Sequence, residues 1–308
     1  MQKQCSVTAG FFGTTPVWVG FFRIVLGFSL LSASGCTWLD VKQRQAIYRP
    51  TAGMPADFAG LRAGDERYYV NLPQSAAADA TQRVDMWWLP HADKDAPTLL
   101  YFHGTFRNLF ENAHKIDSLR AAGFAVLAVE YRGWGLSTSI TPSERTILQD
   151  ADVAWAELQR REPRAAQRVI YGHSMGSGVA VDLASRLRAN ADYGALILES
   201  AFSSFADVAR EAGVFASLLA LVNNERFASI EKIGKVHAPL LMIHGSADTT
   251  IPITLGKKLF GAANVPKQWL VIDGGAHSDL DEIGKAQYQA TLQGFKSKYL
   301  LHTVSSKP

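Results

Sequence analysis

From residue 97 onward, short apolar runs alternate with segments that have helical periodicity. The runs are PTLLYFH, FAVLAVE, RVIYG, ALILE, PLLMIH and QWLVID. None of them alternates apolar and polar residues, which is typical of strands that are buried on both faces of a parallel sheet. The pattern therefore predicts an α/β fold with a doubly wound, mostly parallel sheet, and ligands at the carboxyl ends of the strands.

Other segments predict how this sheet begins and how one helix starts. ERYYV and RVDMWWL, separated by small polar residues, indicate an N-terminal antiparallel hairpin. Thr141, Pro142 and Glu144 predict a helix start with Thr141 as the N-cap, followed by an apolar stripe at helical spacing. We expect one α/β domain over 66–302, with at most a small cap, preceded by a tether over 36–65.

The first 35 residues predict a signal peptide or a membrane anchor. Ile24 to Gly35 is an apolar stretch that follows Arg23 and ends in small residues beside Cys36. It is shorter than the roughly 20 residues that cross a bilayer, but it suits a signal-peptide core. LSASGC resembles a bacterial lipobox, in which the cysteine is acylated, although Ala33 replaces the usual leucine. We expect lipidation of Cys36.

Two alternatives remain for this N-terminus. A membrane helix from Phe11 to Ala33 would hold Arg23 near its centre, at a cost of about 3 kcal/mol. An ordinary cleaved signal is the other. All three interpretations place the protein at the bacterial cell envelope. By its resemblance to lipoproteins, Thr37 after the cysteine favours the outer membrane over an inner-membrane anchor or a periplasmic location.

Composition and charge exclude several classes. With 308 residues, 47% hydrophobic and 19% charged, most of the chain is able to bury a core and is not disordered. A formal net charge of +3 without a polybasic run excludes a nucleic-acid partner. Cys5 and Cys36 both precede the domain, which excludes a disulfide framework and a cysteine-based zinc site. We expect no metal and no cofactor; the sequence sets no oligomeric state.

The segment Gly172-His173-Ser174-Met175-Gly176 carries the strongest chemical signal. It lies between an apolar strand and a helix of small residues, the context in which G-x-S-x-G exposes a nucleophilic serine at a sharp turn. Gly172 and Gly176 are required there because side chains would collide with neighbouring backbone. The helix N-terminus favours a developing oxyanion. We predict Ser174 as the nucleophile; a chance match in a glycine-rich loop is the alternative.

A serine nucleophile needs a base and an acid, which this fold supplies in the order Ser, Asp, His on loops after later strands. Asp248 follows PLLMIH, and His277 follows QWLVID in the loop GGAHS. We predict His277 as the base and Asp248 as the acid that orients it. Alternatively, Asp248 only caps a helix and His277 is a surface residue. Asp273 and Asp279 are weaker candidates, since neither lies on a separate loop.

An oxyanion hole needs two N–H donors. Met175, directly after the serine, supplies one, and Thr105 on the loop after PTLLYFH supplies the other. Gly104 permits the turn that aims the Thr105 N–H, and His103 braces the loop by a hydrogen bond. A purely structural turn is the alternative. His173 is predicted to be a packing and hydrogen-bonding residue rather than a base.

Several motifs together resemble the α/β-hydrolase superfamily. They are GHSMG, the HG turn at 103–104, YRGWGLS at 131–137, ESAF at 199–202, D-x-x-I-P from Asp248 to Pro252, and GGAH. The most similar branch groups serine aminopeptidases, monoglyceride lipases and acyl-protein thioesterases, and the resemblance covers about 66–300. Thr105, Phe106 and Arg107 replace small residues that the branch usually has in the oxyanion loop.

The motifs imply a serine hydrolase that acts on a small-molecule or acylated substrate. Apolar residues over Phe205 to Leu221, and Phe106, Leu109 and Phe110, either line an acyl pocket or fill core. They favour an ester or thioester substrate. A peptidase or amidase on the same triad is the second hypothesis, and a binding lipoprotein without catalysis is the third.

Overall fold

The computed structural model describes residues 38–73, 81–213 and 225–300. The chain divides into two compact units, Met1–Gln43 and Arg44–Pro308. In the first unit, residues 38–43 are helical, and the second unit contains the sheet. No helix among the described residues is both long and apolar enough to cross a membrane. Cys36 and the predicted signal or anchor lie outside the described residues.

All six apolar runs form strands, as the sequence predicts. The strands are β1 (Glu66–Asn71), β2 (Arg83–Leu89), β3 (Thr98–Phe102), β4 (Ala125–Glu130), β5 (Arg168–His173), β6 (Ala195–Glu199), β7 (Leu240–Gly245) and β8 (Lys267–Ile272). They form one sheet in the order β1-β2-β4-β3-β5-β6-β7-β8. β1 and β2 form the predicted antiparallel hairpin, and β3 to β8 are parallel to one another.

Helices of the second unit cover both faces of this sheet. The helical segments are α1 (38–48), α2 (Ala113–Ala121), α3 (Glu144–Arg161), α4 (Met175–Ser185), α5 (Phe205–Glu211), α6 (Ser229–Lys232), α7 (Ile253–Ala262), α8 (Leu280–Ile283) and α9 (Lys285–Tyr299). Alternate residues of one strand pack on opposite sides: Leu99 and Tyr101 on one face of β3, Leu100 and Phe102 on the other. Each such side chain contributes roughly 1.5–3 kcal/mol when fully buried. The doubly wound prediction is confirmed.

Two details differ from the sequence prediction. The N-cap of α3 is Ser143 rather than Thr141, because the Ser143 hydroxyl accepts the Thr146 N–H while the Thr146 hydroxyl accepts the Ser143 N–H. This reciprocal pair satisfies two N–H groups at the start of the helix. β8 is an edge strand and is only partly buried, since no other strand of the described residues pairs with its outer side.

The apolar segments have mixed positions. Leu109 and Phe110 are buried in the core, whereas Phe106 is 48% exposed. Phe205 begins α5 and contacts the rings of Phe202 and Phe227. Residues 214–221 of the predicted acyl-chain cover lie outside the described residues, so that prediction stays open.

Candidate active site

Ser174 lies at the sharp turn between β5 and α4. Its φ of 54° is in the left-handed region, which is strained for a residue with a side chain. The Ser174 N–H donates to the Glu199 carbonyl at 2.9 Å, which fixes this turn to the end of β6. A methyl group at Gly172 would lie 2.2 Å from the Gly176 carbonyl oxygen, and one at Gly176 would lie 2.1 Å from the Phe102 carbonyl oxygen. Only glycine fits at both positions.

The three predicted triad residues meet at the carboxyl edge of the sheet. Ser174, Asp248 and His277 follow β5, β7 and β8, and these parallel strands all end at that edge. His277 Nε2 lies 2.9 Å from Ser174 Oγ, and His277 Nδ1 lies 2.8 Å from Asp248 Oδ2. These distances form one continuous hydrogen-bonded chain from carboxylate to hydroxyl.

Asp248 is held in its ionised form. Burial by itself would raise the pKa of its carboxyl, but hydrogen bonds from His244 and His277 and from the Ile251 N–H outweigh burial and hold that pKa well below its ordinary value. The Thr250 N–H and Ile251 N–H donate to its Oδ1 at 2.9 and 2.8 Å. Asp248 therefore caps the turn before α7 with Oδ1 and contacts His277 with Oδ2. Capping the turn and orienting His277, predicted as alternatives, are compatible.

The two weaker acid candidates serve other groups. Asp273 Oδ1 accepts the Ser246 hydroxyl at 2.9 Å, and Asp279 Oδ1 accepts the Ala276 N–H at 2.7 Å. Both bonds shape the loops that carry Asp248 and His277. The His277 ring contacts the carboxylate of Asp248 instead.

The predicted oxyanion loop lies against the nucleophile. A methyl group at Gly104 would lie 3.1 Å from Ser174 Cβ and 3.6 Å from Ser174 Oγ, so the loop backbone borders the serine closely. Trp134 Nε1 donates to the Thr105 carbonyl at 2.6 Å, and the Thr51 hydroxyl donates to the Phe106 carbonyl at 2.7 Å. Because the carbonyls of Thr105 and Phe106 both accept hydrogen bonds, the loop backbone is fixed around Thr105.

Met175 is the first residue of α4. The first backbone bond into this helix runs from the Ser177 N–H to the Ser174 carbonyl at 2.8 Å. The Met175 N–H therefore precedes the hydrogen-bonded turns of the helix, where N–H groups have no helical partner. Such a group beside the serine suits a developing negative charge.

His103 is bonded to the predicted oxyanion loop and to the end of β4. Its side chain is fully buried; Nδ1 lies 2.7 Å from the Gly104 carbonyl oxygen, and Nε2 lies 3.0 Å from Glu130 Oε1. Glu130 Oε2 accepts the Leu109 N–H at 2.8 Å. The His103 ring also packs at 4.4 Å from the Tyr131 ring. These contacts connect both ends of the loop to the end of β4.

A buried charge cluster beside the Ser174 turn is a feature that the sequence did not predict. Lys115 Nζ lies 2.5 Å from Glu199 Oε1 and 2.8 Å from Asp281 Oδ1, while the Tyr171 and Tyr288 hydroxyls donate to Glu199 Oε2 at 2.5 and 2.7 Å. Burial by itself would raise the pKa of the Glu199 carboxyl, but Lys115 and the other donors lower it to about 2. Its members lie on α2, β5, β6, α8 and α9, too far apart in sequence for a motif.

The arrangement suits covalent catalysis by a serine. A nucleophile in contact with a base, a base in contact with a carboxylate, and backbone N–H groups beside the nucleophile are the parts that acyl transfer requires. Within the described ranges, no group of three or more metal-ligating side chains converges on a point. The fold and this site together define a class, an α/β hydrolase with a serine at the strand-to-helix turn.

Comparison with known proteins agrees with that class. The Hydrolase_4 family model, described as serine aminopeptidase, S33, matches residues 93–230. The alpha/beta hydrolase domain-containing protein 17B of Xenopus laevis is 32% identical over 207 residues, which are 67% of this chain and 68% of that protein. The chain belongs to the α/β-hydrolase superfamily.

Other relatives extend the match. An uncharacterized protein of Mycobacterium tuberculosis, MT2364, is 34% identical over 259 residues, 83% of this chain and 88% of that protein. Lysophosphatidylserine lipase ABHD12 of Danio rerio is 32% identical over 211 residues, 62% of this chain and 54% of that protein. The Pyrococcus furiosus esterase Pf2001 superposes with a TM-score of 0.61 at 16% identity, covering 81% and 98% of the two chains. That last likeness concerns the fold alone.

Proposed function

We propose that the chain is a serine hydrolase that cleaves carboxylic ester or thioester bonds through an acyl-enzyme intermediate on Ser174. The unbroken contact from Asp248 through His277 to Ser174, at 2.8 and 2.9 Å, is the observation that carries this proposal. A chance arrangement of three such residues would not also bring a turn with a strained serine and a glycine-lined loop to the same point.

The reaction has two symmetrical halves. His277 Nε2 takes the Ser174 proton while Oγ attacks the acyl carbonyl carbon, and the N–H groups of Thr105 and Met175 hold the resulting oxyanion. His277 then gives its proton to the leaving alcohol or thiol, which leaves an acyl ester on Ser174. Water attacks that ester with His277 again as the base, and the acid and the free serine hydroxyl are released. Asp248 stays ionised and stabilises the imidazolium.

An ester or thioester is preferred over an amide on two grounds. One relative is named as a lysophosphatidylserine lipase. Phe106, which follows the proposed oxyanion donor Thr105, is 48% exposed and offers an apolar surface beside the site. A peptidase or amidase is the second candidate, because the matching family model is described as serine aminopeptidase.

The function is tested with a fluorophosphonate probe, a chain-length series of p-nitrophenyl esters and thioesters, and aminoacyl anilides. We expect the probe to label the protein and Ser174→Ala to abolish both labelling and ester turnover. Asp248→Asn lowers kcat about 10⁴-fold, because an amide holds the wrong imidazole tautomer. Ser185→Ala, at the other end of the same helix, is the matched control and keeps full activity.

Each remaining hypothesis has its own outcome in that assay. Faster turnover of the anilides than of any ester identifies a peptidase or amidase. A folded protein that takes no label and turns over nothing in the panel is a binding protein, and that result refutes the catalytic proposal.

We also propose attachment to the bacterial cell envelope through a lipid on Cys36. The lipobox-like LSASGC supports this, with a membrane helix or a cleaved signal as the alternatives. Labelled palmitate is expected to enter the chain and the Cys5→Ala variant but not Cys36→Ala. Label retained by Cys36→Ala contradicts the proposal.

A further inference from the structure

The backbone carbonyl of His277 is held by two side chains that the reaction itself does not use. Ser200 Oγ donates to this carbonyl at 3.0 Å, and His173 Nε2 lies 3.0 Å from the same oxygen. Ser200 is fully buried, and His173 is nearly so. Because the carbonyl and the ring belong to one residue, these two bonds restrict the position of the His277 imidazole.

Both donors are adjacent to the groups that fix the nucleophile. His173 directly precedes Ser174 and pairs with Glu199 across β5 and β6. Glu199, whose carbonyl accepts the Ser174 N–H, directly precedes Ser200. The nucleophile backbone and the base backbone are thus joined through two neighbouring strand ends, independently of the contact between the His277 ring and the Ser174 hydroxyl.

Ser200 has a strained backbone conformation, and its hydroxyl bond to the His277 carbonyl gives a reason for a serine at this position. Its φ of 49° is left-handed, which costs of order 1–3 kcal/mol for a residue with a side chain. Its N–H donates to the Ile243 carbonyl at 2.9 Å, so the residue is anchored to β7 while its hydroxyl turns toward the loop after β8. Glycine would fit this φ without strain, and the serine instead supplies a donor.

The second donor is a neutral histidine. Burial lowers the pKa of His173 to about 3, so near neutral pH its ring has one proton, and the nearby His277 carbonyl requires that proton to be on Nε2. The His173 and His277 rings are 5.1 Å apart. A neutral ring at this distance does not oppose the positive charge that His277 acquires in the reaction.

We propose that Ser200 is a positioning residue whose hydroxyl, together with the His173 ring, holds His277 at the distance from Ser174 that proton transfer requires. The inference rests on the proposed function, in which His277 is the base. Removing the hydroxyl leaves His173 as the one side chain of the described residues that donates to this carbonyl, and the ring gains freedom to move. A displacement near 1 Å at a catalytic group costs up to about 10²-fold in rate.

Three variants separate the hydroxyl from the backbone strain. Ser200→Ala removes the hydroxyl and keeps the strain, whereas Ser200→Gly removes both. Ser203→Ala is the matched control, because Ser203 is an equally buried serine three residues further on whose hydroxyl donates to Asp207. The measurements are kcat and KM for an ester, the rate of fluorophosphonate labelling, thermal stability, and the downfield NMR signal of the His277 Nδ1 proton.

We expect Ser200→Ala and Ser200→Gly to lose about tenfold or more in kcat and in labelling rate, with KM within about twofold of wild type. Their stabilities differ, with glycine the more stable, yet their kcat values agree. Ser203→Ala keeps kcat. The His277 Nδ1 signal broadens in both Ser200 variants and not in the control.

The proposal is overturned if the kcat of Ser200→Gly is within about threefold of wild type. It is also overturned if Ser200→Gly has the full wild-type kcat while Ser200→Ala does not. If Ser200→Ala does not fold, the glycine variant alone decides. A wild-type protein that hydrolyses no ester refutes the proposed function instead, and in that case the NMR signal still decides whether Ser200 holds His277.

Discussion

Two residues with side chains, Ser174 and Ser200, have left-handed backbone at the edge where the proposed chemistry takes place. Their φ angles are 54° and 49°, and each N–H is bound by a carbonyl of the next strand, Glu199 for the first and Ile243 for the second. Strain of this kind persists only where surrounding contacts over-determine the backbone. The glycines beside Ser174 are part of those contacts, because they let α4 approach β3 closely.

The close approach at Gly176 gives a prediction at the residue scale. A methyl group there would lie 2.1 Å from the Phe102 carbonyl oxygen, and backbone cannot yield as a flexible side chain does. We expect Gly176→Ala to lower the free energy of unfolding by about 3 kcal/mol and to abolish probe labelling of Ser174. Urea denaturation and the fluorophosphonate assay measure the two effects.

Gly294 provides the control for that substitution. It lies inside α9, is exposed, and a methyl group there would meet no atom within 4 Å apart from its chain neighbours and the adjacent backbone of its own helix. Gly294→Ala is therefore expected to stabilise the protein by about 1 kcal/mol, since alanine is the better helix former. If Gly176→Ala and Gly294→Ala changed the free energy of unfolding equally, the close contact with the Phe102 carbonyl would not be the cause of the destabilisation.

At the scale of elements, the strands were predictable because parallel strands buried on both faces lack polar alternation. The positions of Ser174, Asp248 and His277 were predictable for a related reason. Each follows an apolar run directly, and the carboxyl ends of parallel strands share one edge. Local order along the chain was sufficient for these features; the catalytic roles remain predictions.

Features that depend on contacts between distant segments were not predictable. Lys115 binds Glu199 and Asp281, which are 84 and 166 residues further along the chain. In the sequence Lys115 is one lysine in a polar helix, and nothing local marks it as buried. The bond from Ser200 to the His277 carbonyl, and the identity of the acceptor that His173 contacts, were not predictable for the same reason, since a backbone acceptor has no signature in sequence.

The cap of α3 gives a prediction at this scale. Ser143 and Thr146 satisfy each other's N–H groups, so Ser143→Ala leaves the Thr146 N–H without its side-chain acceptor. We expect a loss of about 1 kcal/mol in the free energy of unfolding. Thr141→Ala, at the cap that the sequence pattern predicted, is expected to cost much less. A larger cost at Thr141 than at Ser143 would restore the original assignment.

At the scale of the molecule, the cluster around Lys115 joins elements that no single motif connects. Glu199 is bonded to Lys115, Tyr171 and Tyr288, so α2, β5, β6 and α9 all contribute to one buried carboxylate. A buried pair of charges does not by itself make a fold more stable than an apolar replacement would, but breaking it by removing one partner is costly. The Glu199 carbonyl also accepts the Ser174 N–H. The cluster therefore supports the edge of the sheet that carries the site.

This cluster predicts how stability depends on pH. The pKa of Glu199 is lowered from 4.5 to about 2 in the folded protein. Its stabilising contribution is therefore complete above about pH 4.5, decreases as pH falls, and is gone below about pH 2. We expect Glu199→Gln to be less stable than wild type at neutral pH by on the order of 3 kcal/mol, and this gap to narrow as pH falls from about 4.5 toward 2.

Urea denaturation of both proteins at several pH values measures the gap. Acid also protonates His173, whose pKa burial lowers to about 3 while the charge on Glu199 raises it, so the loss is the same in both proteins only above about pH 3, and the two are compared there. Glu282→Gln, whose side chain is 66% exposed, is the control and should give no comparable gap at any pH. A Glu199→Gln gap that stays constant down to about pH 3 would mean that the Glu199 carboxylate is not the ionised centre of the cluster.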